Sequence, residues 1–101
     1  MRLYDLRDEK GRVFAFEIKD FLTGRNWACW IASTIPGARI TREPKFLSWF
    51  REDTFCEFEV DGVTFVGWEP FGDSDVYWIG PEPPRWVPQI EKVREAFSRA
   101  L

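Results

Sequence analysis

The dipeptide Asp61-Gly62 is the feature that most restricts how this chain can fold. An Asp-Gly pair is typical of a two-residue type I′ turn, which joins two antiparallel strands into a tight hairpin. The residues on both sides alternate, so the turn fixes a register. That register places three pairs on one apolar face: Val60 with Val63, Phe58 with Phe65, and Cys56 with Gly67. We predict that this face is core and that Cys56 is a small buried thiol.

The other face of the same hairpin combines carboxylates with large rings. Its predicted pairs are Glu59 with Thr64, Glu57 with Val66, and Phe55 with Trp68. Carboxylates beside exposed rings are typical of neither a plain core nor a plain solvated surface. We therefore expect these side chains on the face of the sheet that the helices do not cover, which we call the helix-free face.

Acidic residues are concentrated around this hairpin. The net charge is only -3, yet between Arg51 and Arg85 there are nine Asp or Glu and no Lys or Arg. Rings can anchor a partner while the acidic field attracts basic groups, so we predict binding to a basic protein partner. The predicted partner-binding residues are Phe55, Glu57, Glu59, Trp68, Glu69, Asp73 and Asp75. The alternative is that these acids only keep an aromatic-rich domain soluble.

A first hairpin is predicted at the start of the chain. Asp8-Glu9-Lys10-Gly11 suits a type I turn followed by a left-handed glycine, which places Asp8 opposite Arg12. Counting outward from this turn pairs Leu6 with Phe14 and Tyr4 with Phe16, with Ile18 on the same core face.

A helix is predicted from Trp27 to Ile35. Its core side is expected to carry Trp27, Ala28, Ile31 and Ile35, because these positions share one side at helical spacing. Cys29 then points away from the core and is not expected to reach Cys56, so both cysteines are predicted to be reduced. Trp30 lies at the flank, where its ring either tucks under a neighbouring loop or contacts a partner.

The remaining elements complete an α+β domain covering residues 1–101. Strands are predicted over 38–41 and 76–79, a helical turn over 44–51 and a proline-rich connector over 80–84. The apolar stripe of the closing helix is Trp86, Ile90, Val93, Phe97, Ala100 and Leu101. The predicted order is ββαβ(α)βββα, a mostly antiparallel sheet with two β-hairpins and with helices packed on one face.

The chemistry of the side chains argues against catalysis. There is no histidine, which removes the commonest general base and the commonest zinc ligand. Asp73 and Asp75, helped by Glu69, are better explained as a hydrophilic loop than as a cation site, and no phosphate-binding or nucleophile motif is present. We predict a protein that is not an enzyme and uses no metal or cofactor.

Two other interpretations of the charge pattern stay open. The basic aromatic segment 39–51 could contact nucleic acid, although an acidic chain repels a polyanion. The same segment could instead meet the acidic hairpin of a second copy, giving a homodimer.

The size, the lack of catalytic residues and the acidic aromatic face are similar in style to small bacterial immunity or inhibitor proteins, which neutralise basic toxins or nucleases. No motif carries this likeness. No stretch has the length of a membrane span, and Met1 to Asp5 lacks the apolar run of a signal peptide, so a cytoplasmic location without membrane contact is expected.

Overall fold

The structure, a computed structural model, describes residues 2–19, 25–42, 54–68 and 76–100. Six strands and two helices are present there. The strands are β1 (Arg2–Arg7), β2 (Val13–Lys19), β3 (Ala38–Arg42), β4 (Thr54–Val60), β5 (Val63–Trp68) and β6 (Val76–Pro81). The helices are α1 (Arg25–Ser33) and α2 (Ile90–Ala100). The predicted α+β class is confirmed, while the helical turn predicted over 44–51 lies outside the described residues.

All strand pairs in the sheet are antiparallel, in the order β1-β2-β6-β5-β4-β3. The last strand in the chain therefore occupies the middle of the sheet. β6 pairs on one side with β5, as a meander predicts, and on the other side with β2, which joins the first hairpin to the rest.

Both helices pack on the same face of this sheet. α1 contacts β3 and β4, α2 contacts β2, and the two helices contact each other. The core between helices and sheet is built from large apolar side chains that are almost fully buried. They include Phe16, Ile18, Phe58, Val60, Phe65 and Ile79 from the strands, and Ile31, Ile90, Val93 and Phe97 from the helices.

The second hairpin has the predicted turn and, next to it, the predicted register. Asp61 and Gly62 both have positive φ, 51° and 81°, as a type I′ turn requires. The pairs from Val60 with Val63 to Cys56 with Gly67 are confirmed. A register shift then follows between Thr54 and Cys56, so Trp68 lies opposite Thr54 and the predicted pair of Phe55 with Trp68 is wrong.

The register of the first hairpin differs from the prediction by one residue. The turn itself is confirmed, because the Asp8 N–H donates to the Arg12 carbonyl. A register shift between Leu6 and Arg7 then pairs Leu6 with Ala15 instead of Phe14. One residue of slip exchanges the two faces of β1.

The one-residue shift in the pairing of β1 with β2 places two side chains of β1 on the helix side of the sheet. Leu3 is opposite Ile18, and Asp5 is opposite Phe16. Asp5 is stabilised there because Arg94 of α2 donates from Nε to Oδ1 at 2.6 Å and from Nη2 to Oδ2 at 3.1 Å. The Asp5 carboxylate raises the pKa of the Arg94 guanidinium above its usual value.

The cysteines contradict the prediction of reduced thiols. Cys29 of α1 and Cys56 of β4 form a disulfide with their Cα atoms 5.8 Å apart. The burial of Cys56 is confirmed, but Cys29 is also buried, because Ala28 and Ala32 bring that side of α1 close to the sheet. The helix therefore presents Cys29 to β4 instead of to solvent.

Exposure removes one of the two alternatives predicted for Trp30, and the prediction for Trp86 is wrong. Trp30 on α1 is 61% exposed, so its ring does not tuck under a loop. Trp86 precedes α2 and does not join its apolar stripe, which Ile90, Val93 and Phe97 do form. No helix in the described ranges is both long and apolar enough to cross a membrane.

Candidate functional site

The helix-free face of the sheet contains a second, smaller packed region. Ala15 and Val66 are 0% and 5% exposed, yet neither belongs to the core beneath the helices. They face the other way, since alternation along β2 places Phe16 on the helix side and Ala15 opposite. Something other than the helices therefore covers the middle of this face.

The ring of Trp78 provides part of that cover. It lies along β6 against Gly80, where a Cβ atom would be only 2.6 Å from Trp78 Cη2. The neighbouring strand contributes Trp68, which pairs directly with Trp78. The two ring centroids are 6.2 Å apart and their planes are inclined at 78°.

These two rings form walls of a pocket of about 450 Å³. Of the six described side chains that line it, three are aromatic and one is charged. The lining residues are Phe14, Val66, Trp68, Trp78, Glu82 and Pro84. A concave site of this size with an apolar lining and few charges is typical of small-ligand and side-chain pockets.

Phe14 reaches this pocket because of the irregularity in the first hairpin. Leu6 pairs with Ala15 and Arg7 with Val13, which leaves Phe14 without a partner on β1. Such an extra residue re-aims its side chain. Phe14 was expected in the core with Phe16, and that expectation is wrong because Phe14 lines the pocket on the opposite face.

Two of the predicted acidic site residues lie on the same sheet face as the pocket. Glu57 is paired with Val66, and Glu59 with Thr64. Both carboxylates already have partners on β3. Arg39 Nη2 is 3.0 Å from Glu59 Oε2, and Thr41 Oγ1 donates to Glu57 Oε1 at 2.7 Å.

This pairing changes the electrostatics expected from the sequence. Glu59 is compensated by a cation from a strand outside the acidic run, so counting charges between positions 51 and 85 overstates the free negative charge. Glu17, which is opposite Trp78, and Glu82 form no ion pair with another described residue. Among the described side chains, Glu57 on β4 accepts only from a neutral hydroxyl. Glu57, Glu17 and Glu82 therefore keep their charge without a described cation partner, and two of the three lie near the pocket.

The other predicted site residues are only partly described. Glu69, Asp73 and Asp75 lie outside the described residues, as does most of the basic segment 39–51. For Phe55 the structure describes the backbone, which lies at the register shift in β4. The described part of the predicted site thus brings together Trp68, Glu57 and Glu59.

Sequence reasoning missed Trp78, Phe14, Glu82 and Pro84 as pocket residues. Trp78 was detectable, because a third strand antiparallel to β5 and alternating from Val76 places Trp78 on the same face as Trp68. The contributions of Glu82 and Pro84 depend on the path of the connector, which no periodicity encodes.

A second concave region adjoins the pocket and shares Phe14 and Pro84 with it. Its volume is about 570 Å³, and it is lined by several cations together with Trp86. The Arg12 guanidinium lies 4.7 Å from the centroid of the Trp86 ring. Trp86 is therefore already in contact with a cation from the chain itself.

The turn beside this region is held by Asp8. Its Oδ1 accepts from the backbone N–H groups of Lys10 and Arg12, both at 2.9 Å, and its Oδ2 is 3.1 Å from Arg12 Nε. The Arg12 backbone N–H, together with the Lys10 N–H and the Arg12 guanidinium, lowers the pKa of the Asp8 carboxyl below its ordinary value of 3.8. Asp8 is thus occupied within its own turn.

Within the described ranges, no group of three His, Cys, Asp or Glu side chains is arranged to hold a metal ion. Comparison with known proteins gives no further guide to the site. No family model, no curated protein and no solved structure matches this chain.

Proposed function

We propose that this protein is a non-catalytic protein-interaction domain that binds a basic protein partner through the helix-free face of its sheet. The observation that carries the proposal is the pocket formed by Trp68, Trp78 and Phe14, in which Glu82 is the one charged residue among the described lining residues. Aromatic side chains at the centre of a contact supply most of its binding free energy, and the surrounding charge selects the partner.

The proposal shifts the centre of the site relative to the sequence prediction. Trp68 keeps its role as an anchor, while Glu57 and Glu59 become carboxylates at the edge that already bind Thr41 and Arg39. A neutralising action on a basic toxin or nuclease, as in immunity or inhibitor proteins, is one form that such binding takes.

The disulfide bears on the location. A cytoplasmic location was expected together with reduced cysteines, whereas a bridge between Cys29 and Cys56 favours an oxidising compartment. Counting free thiols in protein taken from its native cells under alkylating conditions tests this. Two alkylated cysteines would support the cytoplasm, and a bridged pair would support an oxidising compartment.

The binding proposal is tested by capture from native lysate on three columns: wild type, Trp68→Ala and Trp30→Ala. Trp30 is the matched control because its ring is exposed but belongs to α1, on the other side of the sheet. We expect a basic protein that is retained by wild type and Trp30→Ala, released by high salt, and lost by Trp68→Ala. The double variant Glu57→Lys with Glu59→Lys is also expected to lose it, with circular dichroism confirming that each variant is folded.

Other outcomes contradict the proposal. A partner lost equally with Trp30→Ala does not bind through the helix-free face. A mass of twice 12.0 kDa in light scattering with no retained protein would favour the homodimer. Retention of nucleic acid alone would favour the basic segment 39–51.

A further inference from the structure

The geometry points to a specific chemical group for the aromatic pocket: we infer that it binds an alkylated, quaternary ammonium cation. This inference rests on the proposed function, since it names the chemistry recognised by the same pocket. A trimethylated lysine of a basic protein and a choline-type small molecule share this group.

The first argument is the angle between the two tryptophan rings. Trp68 and Trp78 are inclined at 78°, close to a right angle, with centroids 6.2 Å apart. The edge of one ring faces the other, and a cation held in the pocket that both rings line is attracted wherever it lies within roughly 6 Å of a ring centroid. The Arg12 contact with Trp86, at 4.7 Å, is a cation within this range on another ring of the same protein.

The second argument is the shape of the space. The two tryptophans lie edge to face, and Phe14 is a third ring, so the pocket offers aromatic groups in more than one orientation. This suits a compact cation better than a planar guanidinium, which stacks flat on one face. The volume of about 450 Å³ also leaves room for an alkyl chain leading to the cation.

The third argument is the scarcity of hydrogen-bond acceptors. An unmodified lysine brings three N–H donors and an arginine five, and each donor left unsatisfied in a pocket costs free energy. Among the described side chains that line the pocket, only Glu82 offers acceptor atoms. A quaternary ammonium has no N–H donor, so the rings and one carboxylate are sufficient.

The carboxylates near the pocket complete the match of charge. Glu82 lies in its lining, and Glu17 lies opposite Trp78 on the same face, neither in an ion pair with another described residue. They place negative charge beside the tryptophan rings, whereas the cations of the adjoining concave region lie beyond Phe14 and Pro84, where Asp8 and Arg12 already pair with each other.

The test compares choline with 3,3-dimethylbutan-1-ol, which has the same shape with carbon in place of the charged nitrogen. Binding is followed by NMR on the indole N–H signals of the full chain at constant ionic strength. We expect choline to shift the signals of Trp68 and Trp78, and the neutral alcohol to bind at least about tenfold more weakly.

Variants locate the binding. Trp78→Ala should abolish the response to choline, Trp78→Phe should retain part of it, and Trp30→Ala should leave it unchanged. Because Trp78→Ala could disturb the sheet, Glu82→Gln serves as a second variant: it removes a charge from an exposed residue, and we expect it to weaken choline binding severalfold. Retained binding in both Trp78→Ala and Glu82→Gln overturns the inference.

Peptides identify the source of the cation. A basic peptide with one trimethyl-lysine is compared with the same peptide carrying unmodified lysine. Tighter binding of the trimethylated peptide than of choline supports a protein ligand, and equal binding supports a small cation. Equal binding of both peptides, equal binding of choline and its neutral analogue, or no response to choline overturns the inference.

These failures are separate from failure of the proposed function. Suppose that an unmodified basic partner is captured by the wild type and lost by Trp68→Ala, while choline does not bind. The proposed interaction with a basic protein would then be supported, and the inference of a quaternary ammonium ligand would be overturned.

Discussion

Gly80 lies directly beneath the six-membered ring of Trp78. A Cβ atom at position 80 would be 2.6 Å from Trp78 Cη2 and 2.8 Å from the Cβ of Ala15, and real Cβ atoms do not approach so closely. The orientation of the Trp78 ring, and with it one wall of the aromatic pocket, therefore depends on the absence of a side chain at residue 80.

The substitution Gly80→Ala is expected to displace the Trp78 ring and to lower the free energy of unfolding by about 1–3 kcal/mol, the usual cost of overpacking. Urea denaturation measures the cost, and the Trp78 indole N–H signal reports the displacement. Adding Ala15→Gly should recover part of the stability, because it removes one of the two close contacts. Unchanged stability together with an unchanged Trp78 signal would contradict the packing described for this ring.

Removing the disulfide is expected to destabilise the domain. Cys29 and Cys56 are 27 residues apart, and closing a loop of that length in the unfolded chain corresponds to about 3.5 kcal/mol. The double variant Cys29→Ala with Cys56→Ala should lose about this much in chemical denaturation.

The reductant provides the control for that prediction. Dithiothreitol should lower the stability of the wild type and leave the double variant unaffected. A wild type that is indifferent to reductant, or an intact mass showing two free thiols after oxidative refolding, would be inconsistent with the bridge.

Breaking the pair between Asp5 and Arg94 should cost about 1–2 kcal/mol. The two hydrogen bonds are charge-assisted and lie partly buried between β1 and α2, although solvent screens part of their strength. Asp5→Asn, Arg94→Gln and the double variant, measured by urea denaturation, form a double-mutant cycle that isolates the pair.

The pair of Glu95 with Arg99 is the matched control on the same helix. Its side chains are 61% and 77% exposed, so Glu95→Gln should cost less than about 0.5 kcal/mol. A coupling between Asp5 and Arg94 no larger than this would show that Asp5 is not held by α2.

Lowering the pH should remove the contribution of Asp8 to stability. Its pKa is lower in the folded state than its ordinary value of 3.8, so the stabilisation is present above that value and is lost as the pH falls through the folded-state pKa. We expect the wild type to be more stable than Asp8→Ala at pH 7, with the difference shrinking below pH 3.8.

Asp8→Asn separates charge from geometry in that measurement. The asparagine amide keeps an oxygen that accepts hydrogen bonds from the N–H groups of Lys10 and Arg12, but it does not titrate in this pH range. The difference between Asp8→Asn and Asp8→Ala should therefore be the same at both ends of the pH range. A wild-type advantage over Asp8→Asn that persists at low pH would contradict the role given to the ionised carboxylate.

The sequence predicted the second hairpin well because its turn is local. Asp61 and Gly62 adopt the positive φ values that define the turn, and the register follows from counting until the shift near Thr54. The first hairpin was mispredicted, although its turn was right. Asp5 lies on the helix side because it pairs with Arg94, which is 89 positions away in the sequence. The alternation of apolar and polar residues within β1 does not indicate so distant a partner.

The candidate site was predicted in part for the same reason. Trp68 and its face follow from the turn at Asp61-Gly62, whereas the partners of Glu57 and Glu59 come from β3 across the sheet. The disulfide was missed because the buried side of α1 was centred on its large residue, Ile31. The small residues Ala28 and Ala32, which are also buried, centre it nearer Cys29.

The central position of β6 sets the order in which this protein can be assembled. β1 and β2 form one hairpin and β3 to β5 another group, and within the described ranges these two units are joined by strand pairing through residues 76–81 only. A ribosome must therefore deliver the chain as far as Pro81 before the sheet becomes continuous. A nascent chain that ends before β6 would expose the edges of β2 and β5, which β6 covers in the complete sheet. Unpaired strand edges of this kind promote aggregation and are bound by chaperones.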